Sequence, residues 1–388
     1  MNQVQPSPAA HRLERLAAYL KEDPANPALL ADACEAAIAC GEHERAQAYI
    51  DSAERLALDR AEWTFRSARL AIARRELARA GQLLGQLLAQ GPHPVLAHDL
   101  AYVRLLQGDF EACREALQPW LAPNAVASLP PAQQQSLQVL WLRAAHRLQQ
   151  LDEAMEWARA QEQAGQLHPA ARGVASLIAL DAGEFDTAQD WADKALQADA
   201  AQVEALVARG SLALGQGDTA GGVRLLERAL ARNPDDGRTW SALGFANLQA
   251  MNLPLAQAQL ERAVAEMADH IDSWQALGWA RLLQGDRNGA LAALRQALEL
   301  DPLHAETHVA LGLVLALGGD RAQAESHLRE AERLDPENVT ARYARALLSG
   351  DVKDPQALEA LTRSVLDQGG GFAGRLHAML QARQSGRK

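Results

Sequence analysis

A repeat of 34 residues runs through most of this 388-residue chain, and it limits the fold more than any other feature. The segments that begin at Trp240, Trp274 and His308 read WSALGFANLQ, WQALGWARLL and HVALGLVLAL. With these residues as its fourth position, the repeat begins at Pro27, Ala61, Pro94, Gln135, Pro169, Val203, Gly237, Ile271, Ala305 and Val339. Successive starts are 34, 33 and 41 residues apart, and then six times 34. Such a chain folds as an array of similar repeats that stack on one another.

Each repeat has the pattern of two α-helices joined by a turn. Apolar residues in its first half recur at helical spacing, as Trp274, Leu277 and Leu282 do. Between the halves lies Gly followed by Asp or Glu, as in Gly285-Asp286, which suits the end of one helix and the first turn of the next. Aromatic residues make up only 4% of the chain, which excludes an all-β fold. We therefore predict an all-α protein.

Small side chains recur at two positions of the repeat. The eighth position holds Ala68, Ala101, Ser176, Gly210, Gly244, Gly278 and Gly312, and the twentieth holds Ala46, Ala80, Cys113, Ala154, Ala188, Gly222, Ala256, Ala290 and Ala324. A small side chain lets two helix backbones approach closely, which Leu or Phe would prevent. The pattern therefore predicts closely packed helix hairpins.

This pattern resembles that of the tetratricopeptide repeat family, which has Trp-x-x-Leu-Gly near the start of the repeat, Ala at its twentieth position and Pro near its end. Residues 237–338 carry most of the family pattern, whereas the repeats from Pro27 to Gln135 keep the small residues and lose the Trp and Gly. The resemblance implies an α-solenoid of about nine to ten stacked helix hairpins. It also implies a right-handed superhelix in which the first helices line a concave groove.

We divide the chain into four regions. Residues 1–26 form an N-terminal helix or half-repeat that caps the array, 27–134 hold degenerate repeats, 135–338 hold regular repeats, and 339–388 hold a divergent last repeat and a capping helix. The capping helices are expected at 11–21 and 376–383. The longer spacing before Gln135 falls in a Pro-rich stretch, 122–132, which is a longer connection, a functional protrusion or a joint between two sub-arrays.

The sequence does not predict catalysis, a cofactor or a metal site. A net charge of −11 argues against a nucleic-acid partner. Cys34 and Cys113 occupy small-residue positions and, with Cys40, are too few for a disulfide framework. His304 and His308 are four residues apart, but one falls in an inter-repeat loop and the other at the ordinary Trp position. We therefore predict a protein that is not an enzyme, with no cofactor and no metal.

The expected location is the cytoplasm. The N-terminal residues lack the pattern of a signal peptide. The longest uncharged apolar run, 309–319, is too short to span a membrane. A composition rich in Ala and Arg and poor in Lys indicates a GC-rich bacterium.

A peptide-binding groove is the candidate site. Positions two, five, nine and twelve of the first helix share one helical face, and in the family that face is concave. These positions supply Phe65, Arg69, His98, Tyr102, Arg143 and His146 in the N-terminal half, and Phe245, Gln275, Trp279, Leu313 and Tyr343 in the C-terminal half. The first set is basic and aromatic and the second mostly apolar, so the groove would take a segment with carboxylates at one end and apolar anchors at the other. Alternatively, Trp279, Phe245 and Tyr102 pack against neighbouring helices, as Trp240 and Trp274 are expected to do.

The leading functional hypothesis is a scaffold, adaptor or chaperone that binds a segment of another protein in this groove. Bacterial secretion, pilus assembly and envelope assembly are the processes in which such a protein would serve. Two alternatives stay open, namely a regulatory receptor that senses a peptide and an obligate regulatory subunit of an enzyme. Self-association through the terminal helices also stays open.

Overall fold

Short α-helices joined by tight turns make up nearly all of the structure. The computed structural model describes residues 8–122 and 128–336, together with 338, 341, 344, 345 and 348. Over this part of the chain there are nineteen α-helices, one 3-10 helix (Gln118–Trp120) and no strand, which confirms the all-α prediction. The α-helices are α1 (Pro8–Glu22), α2 (Pro27–Ala39), α3 (His43–Arg55), α4 (Arg60–Ala73), α5 (Leu77–Leu88), α6 (Pro94–Leu106), α7 (Phe110–Leu117), α8 (Pro131–Arg147), α9 (Leu151–Gln163), α10 (Pro169–Asp181), α11 (Phe185–Ala198), α12 (Val203–Gly215), α13 (Thr219–Arg232), α14 (Gly237–Gln249), α15 (Leu253–Glu266), α16 (Ile271–Leu283), α17 (Arg287–Leu300), α18 (Ala305–Leu317) and α19 (Arg321–Leu334).

Helices α2 to α19 form nine hairpins, from hairpin 1 (α2–α3) to hairpin 9 (α18–α19). Seven first helices begin at the residue that the repeat predicts. The exceptions are α4, which begins one residue early, and α8, which begins at Pro131 instead of Gln135. Part of the stretch interpreted as a loop is therefore helical, because proline is well tolerated in the first turn of a helix. The repeat that begins at Val339, Tyr343 and the expected capping helix at 376–383 lie outside the described residues.

The chain divides into two compact units, an N-terminal unit of Met1–Ala171 and a C-terminal unit of Arg172–Lys388. The first helix of the N-terminal unit is α1, which spans the stretch 11–21 where a capping helix is expected. Leu13, Leu16 and Leu20 on α1 are buried in one cluster with Leu30 and Ala37 of α2. In the C-terminal unit the core continues from hairpin 7 to hairpin 9.

The turns inside the hairpins show why Gly and Asp recur there. Gly285 adopts a φ of 83°, and the next residue, Asp286, caps α17 by accepting a hydrogen bond of 2.9 Å from the backbone N–H of Gly289. A left-handed residue ends the first helix, and a carboxylate satisfies a backbone N–H in the first turn of the second. Arg75 and Met251 occupy the same kind of turn with φ values of 61° and 59°, although neither is glycine.

The helices of one hairpin approach closely where small residues were predicted. A Cβ atom added to Gly278 would lie 2.7 Å from Cγ of Leu294, on the second helix of the same hairpin. Ala290, at the twentieth position, has no exposed surface. The same contact with a Leu sixteen residues later recurs at Gly210, Gly244 and Gly312.

The residue at the fourth position of the repeat bonds to the loop that follows the preceding hairpin. Trp240 Nε1 donates to the carbonyl of Pro234 at 2.7 Å, and Trp274 Nε1 donates to that of Ala268 at 2.8 Å. Both indoles are half-buried, not fully buried as expected for core residues, because the ring edge that makes this bond faces the loop. His308 occupies the same position in hairpin 9.

Candidate functional site

The two units differ in how they expose one face of their first helices. We define the first-helix face by the fifth and ninth positions of each repeat. In the N-terminal unit these side chains are half-buried or exposed, and they are Ala31, Glu35, Phe65, Arg69, His98, Tyr102, Val139 and Arg143. In hairpins 6 to 9 of the C-terminal unit they are between 2% and 5% exposed, and they are Val207, Ser211, Ser241, Phe245, Gln275, Trp279, Val309 and Leu313.

An aromatic ring and an ion-pair cluster lie side by side on the N-terminal unit's first-helix face. The guanidinium carbon of Arg69 lies 6.0 Å from the centre of the Phe65 ring, which is half-buried. Arg69 also forms an ion pair with Glu35, one hairpin earlier. Arg66 approaches Glu35 at 3.8 Å and Glu62 at 3.0 Å. These contacts hold the charged side chains beside an apolar surface that remains accessible.

Tyr102 on α6 is the most exposed aromatic side chain among the predicted site residues that the structure describes. Its exposed fraction is 38%. One helical turn earlier, His98 is half-buried and its Nδ1 lies 2.9 Å from Oδ1 of the neighbouring Asp99. On α8, Arg143 is exposed and His146 is half-buried. The structure thus places all six predicted residues of the N-terminal half on surface that a partner can reach.

Three apolar residues at the twelfth position also belong to this surface. Ile38, Ile72 and Leu105 are half-buried on α2, α4 and α6. The sequence prediction passed over them because it selected charged and aromatic residues, although the twelfth position lies on the same helical face as the fifth and ninth. They add apolar area to the first-helix face on α2, α4 and α6.

The predicted residues of the C-terminal half lie in the core. Phe245, Trp279 and Leu313 belong to one buried cluster of hairpins 7 to 9, and Gln275 is 2% exposed. Within the described part of the chain, Nε2 of Gln275 and Nε1 of Trp279 are buried without a hydrogen-bond partner. This is a correction to the proposed groove, because side chains enclosed in this way offer no surface to a partner. They match the alternative of packing against neighbouring helices.

Cys34 and Cys113 are buried thiols. Burial raises the pKa of the Cys34 thiol to about 12 and that of Cys113 to about 11. A thiol nucleophile requires a lowered pKa, so both side chains are packing residues. Among the described residues, no group of three or more His, Cys, Asp or Glu side chains is placed to hold a metal ion.

Two family models identify the repeats in the C-terminal unit. Both are described as tetratricopeptide repeat, and they match residues 213–279 and 276–339. The resemblance is therefore confirmed, since these residues are tetratricopeptide repeats and the remaining hairpins have the same construction. A comparison with curated proteins found no match. No helix in the described ranges is both long and apolar enough to cross a membrane.

Solved structures with a similar fold share part of the chain. YrrB, described as a TPR protein with an unusual peptide-binding site, is 22% identical with a TM-score of 0.39, and the match covers 48% of this chain and 96% of YrrB. MamA is 23% identical with a TM-score of 0.37, and the match covers 41% of this chain and 93% of MamA.

Proposed function

We propose that this protein is a non-enzymatic scaffold that binds a segment of another protein along the first-helix face of its N-terminal unit. Tetratricopeptide repeats support a protein-binding role in general. The observation that carries the specific proposal is the difference in exposure at equivalent positions, 38% for Tyr102 against 2% for Trp279. Among the described residues, these positions are accessible in the N-terminal unit and enclosed in hairpins 6 to 9 of the C-terminal unit.

The residues of this face define the kind of partner. Phe65, Ile72, Tyr102 and Leu105 offer half-exposed apolar surface, and aromatic residues of this kind often dominate the energy of an interface. The exposed Arg143 on α8 adds positive charge at one end. We therefore expect an extended segment with apolar side chains that contact α4 and α6 and with carboxylates toward α8.

The experiment uses the full chain as bait and identifies retained proteins by mass spectrometry. The affinity of the retained protein is then measured by calorimetry for wild type, Tyr102→Ala and Leu255→Ala. Leu255 is a matched control, because it is an apolar residue on α15 that is 50% exposed and lies outside the proposed face. We expect Tyr102→Ala to weaken binding by about 10- to 30-fold, as truncating a central aromatic does, and Leu255→Ala to leave it unchanged.

Charge at the α8 end is tested separately. Arg143→Glu should weaken binding of a partner with acidic residues, and the loss should shrink at high salt because exposed charges are screened. Equal affinities for wild type, Tyr102→Ala and Arg143→Glu would show that the partner binds elsewhere. Failure to retain any protein, together with a melting shift caused by a small molecule, would refute the scaffold role itself.

The cellular role that we propose is that of an adaptor or chaperone in bacterial secretion, pilus assembly or envelope assembly, acting from the cytoplasm. The identity of the retained partner tests the process, and fractionation of cells that produce the tagged full chain tests the compartment. Recovery of the protein outside the cytoplasmic fraction would contradict the proposed location.

A further inference from the structure

Two histidines meet across hairpin 9. His308 on α18 is 7% exposed, and its Nδ1 lies 2.9 Å from Nδ1 of the half-buried His327 on α19. The ring centres are 5.2 Å apart. The other ring nitrogen of His308, Nε2, lies 3.0 Å from the carbonyl oxygen of Pro302, in the loop that follows α17. His308 thus connects its own hairpin both to the preceding loop and to its second helix.

The carbonyl of Pro302 determines where the protons of this pair reside. A carbonyl oxygen only accepts, so Nε2 of His308 must carry a proton and donate it. Neutral His308 then has a bare Nδ1, which accepts, and Nδ1 of His327 must be the donor. One further proton can enter at Nε2 of His327 without disturbing either bond. A second further proton would have to bind Nδ1 of His308. The two Nδ1–H groups would then point at each other with their nitrogens 2.9 Å apart.

We propose that the His308–His327 pair is a pH-sensitive device that holds hairpin 9 closed in neutral solution and loosens it in acid. In the unfolded hairpin, the two neutral imidazoles can each bind one further proton. In the closed hairpin, the pair can bind only one further proton. Acid therefore favours the open form. Trp at the corresponding position, as in Trp240 and Trp274, makes the same bond to the preceding loop and takes up no proton.

Some groups around the pair oppose its protonation, and others would favour it. Burial lowers the pKa of His327 below its ordinary value, and the nearby His308 and then Arg295 on α17 lower it further. On α19, Glu330 faces His308 but already forms an ion pair with Arg333. At the start of α18, His304 lies 3.6 Å from Glu306 and is outside the pair.

The sign of the effect follows from proton binding. A histidine whose pKa is lowered in the folded state contributes its full stability above the unfolded pKa, which is about 6.5. As pH falls below that value, the unfolded hairpin takes up protons that the closed hairpin excludes. One excluded proton with an unfolded pKa of about 6.5 lowers the closing equilibrium about 16-fold between pH 6.5 and pH 5, and the slope approaches tenfold per pH unit only well below pH 6.5.

Hydrogen exchange of the full chain tests this device. Protection of residues 305–334 is compared with that of hairpin 7 in the same sample, at pH 7.5, 6.5, 5.5 and 5, after correction for intrinsic exchange. We expect the ratio to fall about 16-fold between pH 6.5 and pH 5 in wild type. In His308→Trp, which keeps the bond to the loop and removes the facing nitrogen, the ratio should fall several-fold less than in wild type, while the control His304→Asn should behave as wild type.

His327→Ala provides a second test, because it removes the nitrogen that faces Nδ1 of His308. It should also reduce the pH dependence, whatever its effect on overall stability. Imidazole NMR signals of the full chain should show the pair binding fewer than two protons at pH 5. A wild-type ratio that does not change with pH, two ordinary titrations by NMR, or an unchanged slope in both variants would overturn the proposal.

Discussion

Replacing Gly278 by alanine sets two physical effects against each other. Alanine in the interior of a helix is ordinarily more stable than glycine by about 0.5–1 kcal/mol. At Gly278, however, the added Cβ would lie 2.7 Å from Cγ and 2.8 Å from Cδ2 of Leu294. Forcing an extra methyl group into a filled core costs about 1–3 kcal/mol. We therefore expect Gly278→Ala to destabilise the hairpin by about 1–2 kcal/mol.

The chain offers a matched control in Gly85. It also lies inside a helix, α5, but an added Cβ there meets nothing within 4 Å. Gly85→Ala should therefore gain about 0.5–1 kcal/mol from helix propensity alone. The Leu294→Ala background provides a second comparison, since it removes the side chain that Gly278→Ala would strike. In that background Gly278→Ala should become stabilising, so its sign should reverse.

Urea unfolding followed by circular dichroism gives the overall change, and hydrogen exchange of α16 and α17 gives the local one. Both are needed because neighbouring hairpins in an array can unfold separately. If Gly278→Ala raised stability as Gly85→Ala does, or if its effect were the same with and without Leu294, the argument from close helix approach would fail.

Further predictions concern the turns, the helix caps and the thiols. Met251→Gly should raise the free energy of unfolding, measured by urea unfolding, by about 1 kcal/mol. Gly285→Ala should lower it by about the same amount, because both positions have positive φ. Asp286→Ala should cost about 1 kcal/mol in the same assay, because it removes a side-chain cap. Cys34 and Cys113 should resist a thiol reagent at pH 8 until the protein unfolds. Their raised pKa values also mean that stability falls above about pH 9, where the unfolded thiols ionise first.

The fold could be predicted closely because local signals repeat. The helix starts at Val203, Gly237 and Ile271 follow from the spacing alone. The start of α8 could not be predicted in the same way. Pro130 and Pro131 indicate a loop by composition, but a proline in the first helical turn gives up no hydrogen bond, so the helix includes Pro131.

The site was harder to predict, because periodicity shows which side chains share a face and not what packs on that face. Val309 and Leu313 occupy the same positions as Phe65 and Arg69, yet only the latter two are accessible. A usable signal is charge. The face carries charged residues where it is open, as at Arg69, and only uncharged ones where it is buried. The contact between His308 and His327 joins two side chains that are 19 positions apart in the sequence, and it has no local signature.

The enclosure of the first helices in the C-terminal unit has a consequence for how the protein is made. In α18, nine of 13 residues are buried, from Thr307 to Leu315, so the helix has almost no polar side of its own. While it emerges during synthesis, it must remain exposed to water until α19 and its neighbours are complete. The first helices of the N-terminal unit carry charged residues, such as Glu35 and Arg69, on one face. They therefore expose less apolar surface to water before the unit has folded. Among the described helices, those that tolerate water are therefore made before those that depend on neighbours for burial, so the risk of aggregation rises as the C-terminal unit is synthesised.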